Sequence, residues 1–154
     1  MEKSDKAVEL FKGGLCCSQA VFCAFAEDFG MDAETARKVS AGLGGGVGRM
    51  REVCGTVTGA TLVLGLKYGP DKAAVYPHVQ DLCARFKAEC GSLVCRDLLV
   101  GTDATQGGMP EARTAAYYKK RPCAELAPRR PARRTVLTQM LRIRDLRFSR
   151  RVPQ

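Results

Sequence analysis

The sequence predicts an all-α fold, a single-domain bundle of about five to seven helices. Apolar residues recur at helical spacing in several segments, and no segment alternates as a half-buried strand would. Hydrophobic residues make up 45% of the chain but aromatic residues only 6%, so the core must be built mainly from Ala, Val, Leu and Cys. Small side chains of this kind favour closely packed helices.

Three helices are predicted in the N-terminal part of the chain. The first ends at Gly13-Gly14, because a glycine pair is a common helix stop. The second covers residues 17–30 and is apolar on nearly all faces, which places it at the centre of the bundle. Asp32 is a good N-cap for the third, over residues 33–43.

A glycine-rich loop then leads to a helix that starts at a cysteine. Residues 44–59 hold too much glycine to remain helix or strand throughout, so we expect a shaped loop that delivers the chain to Cys54. A buried helix follows over residues 56–68. Gly59 and Gly65 each cost this helix about 1 kcal/mol relative to alanine, so we expect another helix or a bound group to approach both.

The remaining elements are shorter, apart from one long helix over residues 71–89. Pro77 lies inside that span, which predicts a kink there or a later start near Tyr76. Beyond it we expect a helical turn at 95–99, a polar loop at 101–110, a helix at 111–120 and another helix that starts at Pro122-Cys123.

The positive charge of the chain is concentrated at its C-terminal end. Residues 128–154 hold nine of the 25 basic residues and one acid, which leaves 16 basic and 15 acidic residues in 1–127. We therefore expect a near-neutral helical domain at 1–127 without nucleic-acid binding. The basic Arg/Pro tail at 128–154 is predicted to be poorly ordered, or else to contact an anionic surface.

The N-terminus indicates a cytoplasmic protein. It has mixed charge and no apolar segment typical of a secretory signal, and no uncharged run approaches the roughly 20 residues of a membrane-spanning helix. In a reducing compartment, eight cysteines act as metal ligands, redox thiols or small core residues rather than as structural cross-links.

Four cysteines share one context, because each stands at the predicted start of a helix. Unpaired amide groups and the helix dipole favour a thiolate there, the form that attacks disulfides and binds metals. Their separations of 37, 41 and 28 residues exclude a local metal knuckle or a CxxC motif, so only the tertiary fold can bring them together. The four are Cys17, Cys54, Cys95 and Cys123, with Cys54 as the expected attacking thiolate.

The other four cysteines have different settings. Cys23, Cys83 and Cys90 lie on apolar stripes and are expected to pack in the core. Cys90 also forms a C-x4-C spacing with Cys95, for which a disulfide or shared metal is conceivable. Cys16 is adjacent to Cys17, either as a spectator or as a resolving thiol.

The chain resembles the C-GCAxxG-C-C family of redox-active proteins, single domains named for four shared cysteines and a Cys-Gly-x-x-x-Gly segment. By this resemblance the family quartet falls on Cys17, Cys54, Cys95 and Cys123. Thr56 stands where the motif has alanine, and the arginine-proline tail replaces the helix expected after Cys123. The likeness covers residues 8–127 and rests on residues 14–21, 44–49, 52–60, 64–69 and 90–99, with Cys123 and the Ala-Glu-Leu that follows it.

The favoured function is redox chemistry at the four cysteines, with an unidentified redox partner. Four thiolates can hold an iron–sulfur cluster, with backbone amides of the glycine loop tuning it, or they can cycle as disulfides. Arg49 would lower the pKa of Cys54, unless it and Glu52 form only a surface ion pair. The expected cofactor-binding residues are Gly45, Gly46, Gly48, Arg49, Glu52 and Gly55.

Two other functions are weighed against redox chemistry. A closed four-cysteine zinc site would make the protein a structural module, and a homo-oligomer is compatible with either function. Phosphate binding by residues 44–48 with Arg49 and Arg51 lacks the P-loop pattern and a preceding strand. His78, the single histidine, follows a proline and is not expected to be a ligand, and no arrangement typical of a hydrolase occurs. If the protein is an enzyme, the cysteines indicate an oxidoreductase.

Overall fold

A computed structural model describes residues 3–121 and residue 123, and it confirms the all-α fold. The described residues contain no strand, only an isolated antiparallel bridge between Val53 and Val94. Short 3₁₀ turns at Glu27–Phe29 and Ala41–Leu43 extend the second and third helices. The α-helices are α1 (Lys3–Lys12), α2 (Cys17–Ala26), α3 (Ala33–Ser40), α4 (Gly55–Tyr68), α5 (Lys72–Cys90), α6 (Cys95–Leu98) and α7 (Ala115–Lys120).

Helix α2 lies at the centre, as its all-round apolar surface predicts. It packs against α1, α3 and α4, while α5 packs on the far side of α4. A Cβ added at Gly59 would lie 2.7 Å from the backbone oxygen of Ser18, so this glycine allows α2 and α4 to approach closely. The first core lies between α1, α2 and α3 and includes Val63 of α4; its buried residues are Ala7, Phe22, Cys23, Ala24, Phe25, Ala26, Ala36 and Val63. The α2–α4–α5 core comprises Val21, Cys54, Val57, Ala60, Leu64, Leu82 and Phe86.

Gly65 has a different environment from Gly59, because no neighbouring helix approaches it closely. Nothing lies within 4 Å of a Cβ added at Gly65. Gly65 lies on α4 but faces away from α2, so packing does not require a glycine at this position.

Capping residues set several helix boundaries. Asp32 caps α3 as predicted, and its carboxylate accepts a hydrogen bond from the Thr35 amide at 2.9 Å. Thr114 caps α7, which therefore begins four residues later than expected.

Helix α5 contains Pro77 but starts well before Tyr76, so a start near Tyr76 is wrong. Asp71 accepts a hydrogen bond from the Ala73 amide at 3.1 Å and caps the helix at its actual start. The helix therefore has a full turn in place before it reaches the proline.

The predicted tail at 128–154 and the helix predicted to follow Cys123 lie outside the described residues. Among the helices that are described, none is long and apolar enough to cross a membrane.

Candidate functional site

The glycine loop is a tight left-handed coil between the 3₁₀ turn after α3 and the start of α4. Residues 45–49 all have positive φ, between 56° and 70°, and Arg51 follows with φ 59°. The coil is closed by backbone hydrogen bonds from the Arg51 amide to Gly45 at 3.2 Å and from the Glu52 amide to Gly46 at 2.9 Å. A left-handed φ is costly for a β-branched residue such as Val47, so the surrounding contacts must hold this loop in place.

Glycines let this coil touch the elements that carry the cysteines. A Cβ added at Gly46 would lie 2.6 Å from the Cβ of Cys95, and one added at Gly55 would lie 3.0 Å from the Cβ of Cys17. At Gly46 the left-handed φ also favours glycine. These positions are glycine because the loop passes where a side chain would displace a cysteine.

Backbone hydrogen bonds then fix the starts of α4 and α6 next to each other. The Cys54 amide donates to the Leu93 carbonyl at 2.8 Å, and the Cys95 amide donates to the Glu52 carbonyl at 2.6 Å. Residues 41 positions apart in sequence are thereby held side by side, and both sulfurs face the same space.

The four predicted cysteines all line one cavity of about 240 Å³. Within it Cys17 and Cys123 interact directly, which raises the pKa of Cys17 and lowers that of Cys123. Cys54 lies close enough to Cys17 and Cys123 for their charges to interact, and Cys95 is similarly close to Cys54 and Cys123. All four are free thiols. The fold therefore brings together the sulfurs that their positions at helix starts had selected.

Most of the predicted cofactor-binding residues also line this cavity, but Glu52 does not. The lining includes Gly45, Gly46, Gly48, Arg49 and Gly55. The Glu52 side chain is exposed and forms an ion pair with Arg96 of α6. The expected Arg49–Glu52 pair is wrong, because Arg49 reaches across to Glu111, 3.3 Å away.

The remaining cysteines take the places their settings indicate. Cys23 is in the core formed by α1, α2 and α3, and Cys83 and Cys90 pack against the second core. Cys16 is the N-cap residue of α2 and lines the cavity, with its sulfur 3.3 Å from the Ser18 hydroxyl. Cys90 and Cys95 are both free thiols, so the C-x4-C spacing forms no disulfide in this structure.

Three of the four predicted site cysteines have a raised pKa, whereas the sequence predicts a lowered one. The expectation of a lowered pKa at Cys54 is wrong, because burial raises its pKa to about 11 and outweighs the opposing hydrogen bonds from Thr56. The pKa of Cys17 is raised by its hydrogen bond to Cys123 and by burial. Burial also raises the pKa of Cys95, although Arg51 opposes the shift. Desolvation of the sulfur here exceeds what a helix N-terminus contributes.

Cys123 behaves in the opposite way. The hydrogen bond from Cys17 lowers its pKa to about 7, and the guanidinium groups of Arg121 and Arg51 act in the same direction. Cys123 is the member of the quartet whose pKa is lowered. Its burial raises the pKa, but the hydrogen bond has the larger effect.

Sequence reasoning missed several polar residues of the cavity wall. Glu111, Arg113, Tyr117 and Arg121 come from the loop before α7 and from the end of that helix. Arg121 could have been found, because it stands two residues before Cys123 in the sequence. The others lie in the predicted helix at 111–120, where no sequence signal connects them with the cysteines, and only the tertiary fold places them beside the glycine loop.

A metal centre finds little geometric support in this part of the chain. Among residues 3–121 and Cys123, no three His, Cys, Asp or Glu side chains form a group arranged to hold a metal ion. His78 stacks on the ring of Tyr68 with 3.7 Å between the ring centroids and does not line the cavity.

Comparison with known proteins gives one family. The sequence model of the family described as "Putative redox-active protein (C_GCAxxG_C_C)" matches residues 15–129, which include all four cysteines of the cavity. No match was found among curated proteins or among solved structures. Since the match extends over most of the chain, the protein belongs to the C_GCAxxG_C_C family of redox-active proteins.

Proposed function

We propose that the protein carries out thiol–disulfide redox chemistry, with Cys123 as the attacking thiolate and Cys17 as its partner. The observation that carries this proposal is that Cys17 and Cys123 line the same cavity and interact there, which lowers the pKa of Cys123 to about 7. A thiol with a pKa near the ambient pH combines a substantial thiolate fraction with high nucleophilicity. The pKa is raised, by contrast, at Cys17, Cys23, Cys54, Cys83, Cys90 and Cys95.

The exchange follows from the contact between these two sulfurs. The Cys123 thiolate attacks one sulfur of a substrate disulfide, forms a mixed disulfide and releases the other sulfur as a thiolate. Cys17 then attacks Cys123, and its proton passes to a leaving thiolate. The products are a Cys17–Cys123 disulfide, one thiol and one thiolate, so the protein loses two electrons and the substrate gains them.

Cys54 and Cys95 are proposed to support this pair rather than to begin the reaction. Burial keeps both protonated at neutral pH, since it raises the pKa of each. Both border the same cavity, so either can exchange with a disulfide once it has formed. A reducing compartment such as the cytoplasm would keep all four as thiols between turnovers.

The test is to map the disulfide that forms first. The reduced protein is exposed to a slight excess of a small disulfide, quenched with acid and digested, and the linked peptides are identified by mass spectrometry. The Cys17–Cys123 link is expected first, and Cys123→Ser should abolish the reaction. Cys23→Ser is the matched control, because Cys23 is a core residue outside the cavity, and it should affect stability only. A first link that excludes Cys123 would overturn the proposal.

A metal-bound form is the second candidate, because four cysteines line one cavity. Metal analysis and an anaerobic absorption spectrum of the purified protein separate the two. Iron with visible charge-transfer bands would indicate a cluster, and colourless zinc a structural site. Titratable thiols without stoichiometric metal are the result expected here.

A further inference from the structure

The walls of the cysteine cavity carry an excess of buried positive charge. Arg49, Arg51, Arg113 and Arg121 all line it, and Arg51 and Arg121 are only 5% and 7% exposed. Of the described residues, Glu111 is the single carboxylate in the lining. Even with Cys123 as a thiolate, two guanidinium charges remain without a counter-charge in this part of the chain.

Neutral groups hold two of these arginines in place. The Arg51 Nε donates to the Thr105 carbonyl at 2.9 Å, and an Arg49 terminal nitrogen donates to the Met109 carbonyl at 2.7 Å. The other terminal nitrogen of Arg49 donates to the Thr105 hydroxyl at 2.9 Å. These bonds orient the guanidinium groups without neutralising them. Arg49 also lies 3.3 Å from Glu111, but it shares that single carboxylate with Arg121. Within the described part of the chain, the buried Arg49 Nε has no hydrogen-bond partner.

The other two arginines are held against one aromatic ring. The guanidinium carbons of Arg113 and Arg121 lie 4.5 Å and 4.4 Å from the ring centroid of Tyr117. Arg113 also donates to the Tyr117 hydroxyl at 2.8 Å, and Arg121 pairs with Glu111. All four cations are therefore fixed before any ligand arrives, so a ligand would not have to supply the free energy to order them.

Charge and size together define the class of ligand. Uncompensated buried cations are costly, and they become favourable when an anion accepts their hydrogen bonds. A cavity of about 240 Å³ is below the roughly 300–1,000 Å³ of typical drug-sized sites, which favours a small molecule over a peptide or nucleotide. The ligand must also reach Cys123 on the same wall.

We propose that the substrate is a small acidic disulfide, a molecule that carries a carboxylate beside its sulfur–sulfur bond. This inference rests on the proposed function. The arginines hold the carboxylate, and the nearer substrate sulfur meets Cys123. The substrate is reduced to one thiol and one thiolate while the Cys17–Cys123 disulfide forms, so the substrate itself is the oxidant.

Three small disulfides that differ in charge provide the test. Dithiodipropionate is anionic, bis(hydroxyethyl) disulfide is neutral and cystamine is cationic. The rate at which each forms the Cys17–Cys123 disulfide is divided by its rate with a simple thiol in solution, which removes intrinsic differences in reactivity. We expect the anionic probe to exceed the neutral one by about tenfold, which corresponds to about 1.4 kcal/mol, and the cationic probe to be slowest.

Arg49→Gln tests the origin of this preference. The readout is the ratio of the anionic to the neutral rate within each variant, because this ratio cancels any change in the reactivity of Cys123 itself. The ratio should fall severalfold in Arg49→Gln, and Arg49→Lys should recover part of it because the charge returns. Arg85→Gln is the matched control, since Arg85 is exposed on α5 and pairs with Asp81. Thermal melts followed by circular dichroism confirm that each variant is folded.

The two proposals fail in different ways. Equal normalised rates for the three probes would overturn the acidic substrate and leave thiol exchange standing. An anion preference unchanged in folded Arg49→Gln would overturn the arginine site. If no probe forms the Cys17–Cys123 disulfide, the proposed function falls and the substrate inference falls with it.

Discussion

The hydrogen bond from Cys17 to Cys123 makes a testable prediction about the pH dependence of alkylation. Replacing Cys17 with alanine removes the donor that contributes most to the lowered pKa of Cys123. With a pKa of about 7, about half of Cys123 is thiolate at pH 7. If the pKa returned to its ordinary value of 9.0, that fraction would be about 1%.

The expected rate change is smaller than this fiftyfold loss of thiolate. A thiolate of higher pKa is intrinsically more nucleophilic, with a Brønsted coefficient of about 0.4–0.5. A rise of two pKa units therefore increases the intrinsic rate constant of the thiolate by a factor of about eight. The observed alkylation rate at pH 7 then decreases by about fivefold to sixfold in total. The midpoint of the pH profile is the better readout, because intrinsic nucleophilicity changes the plateau and not the midpoint.

The assay is alkylation by iodoacetamide from pH 5 to pH 10, with mass spectrometry of the peptide that contains Cys123. The wild-type midpoint should lie near 7, and Cys17→Ala should move it upward by one unit or more. Cys83→Ala, which removes a thiol outside the cavity, should leave it unchanged. A wild-type midpoint near 9, or the same midpoint in Cys17→Ala, would refute the reasoning.

Two predictions concern stability and are measured by urea denaturation. Gly46→Ala should reduce the free energy of unfolding by about 2–4 kcal/mol, because the new methyl group meets Cys95 and takes a left-handed φ. Gly65→Ala is the matched control and should instead increase stability by about 0.5–1 kcal/mol, since position 65 is helical and no other residue crowds it. Equal effects of the two alanine substitutions would contradict the packing described here. Asp32→Ala should cost about 1 kcal/mol through loss of the hydrogen bond to the Thr35 amide, while Asp32→Asn, which retains a capping oxygen, should cost much less.

Much of the helical architecture was predictable, because it depends on local rules. Apolar periodicity, glycine stops and the Asp32 cap predict α1 to α5 to within a few residues, apart from the 3₁₀ turns that end the second and third helices. The errors arose where a neighbour in space decides the outcome. Gly59 and Gly65 look alike in sequence, but only Gly59 faces α2.

The convergence of the four cysteines on one cavity was predictable, but the electrostatics of that cavity was not. Helix starts selected Cys17, Cys54, Cys95 and Cys123, and the resemblance to the family selected the same four. The choice of Cys54 as the thiolate failed, because that argument considered the helix dipole without the burial of the sulfur. Burial depends on which helices cover a residue, and no local pattern reports it.

The sequence by itself determined the helices, the glycine loop and the identity of four cysteines, since each depends on residues close together in the chain. Only the tertiary structure decided which cysteine has a lowered pKa and which arginines surround it. The pKa of a thiol depends on its nearest charges and on exclusion of water, and here those neighbours come from segments more than a hundred residues apart.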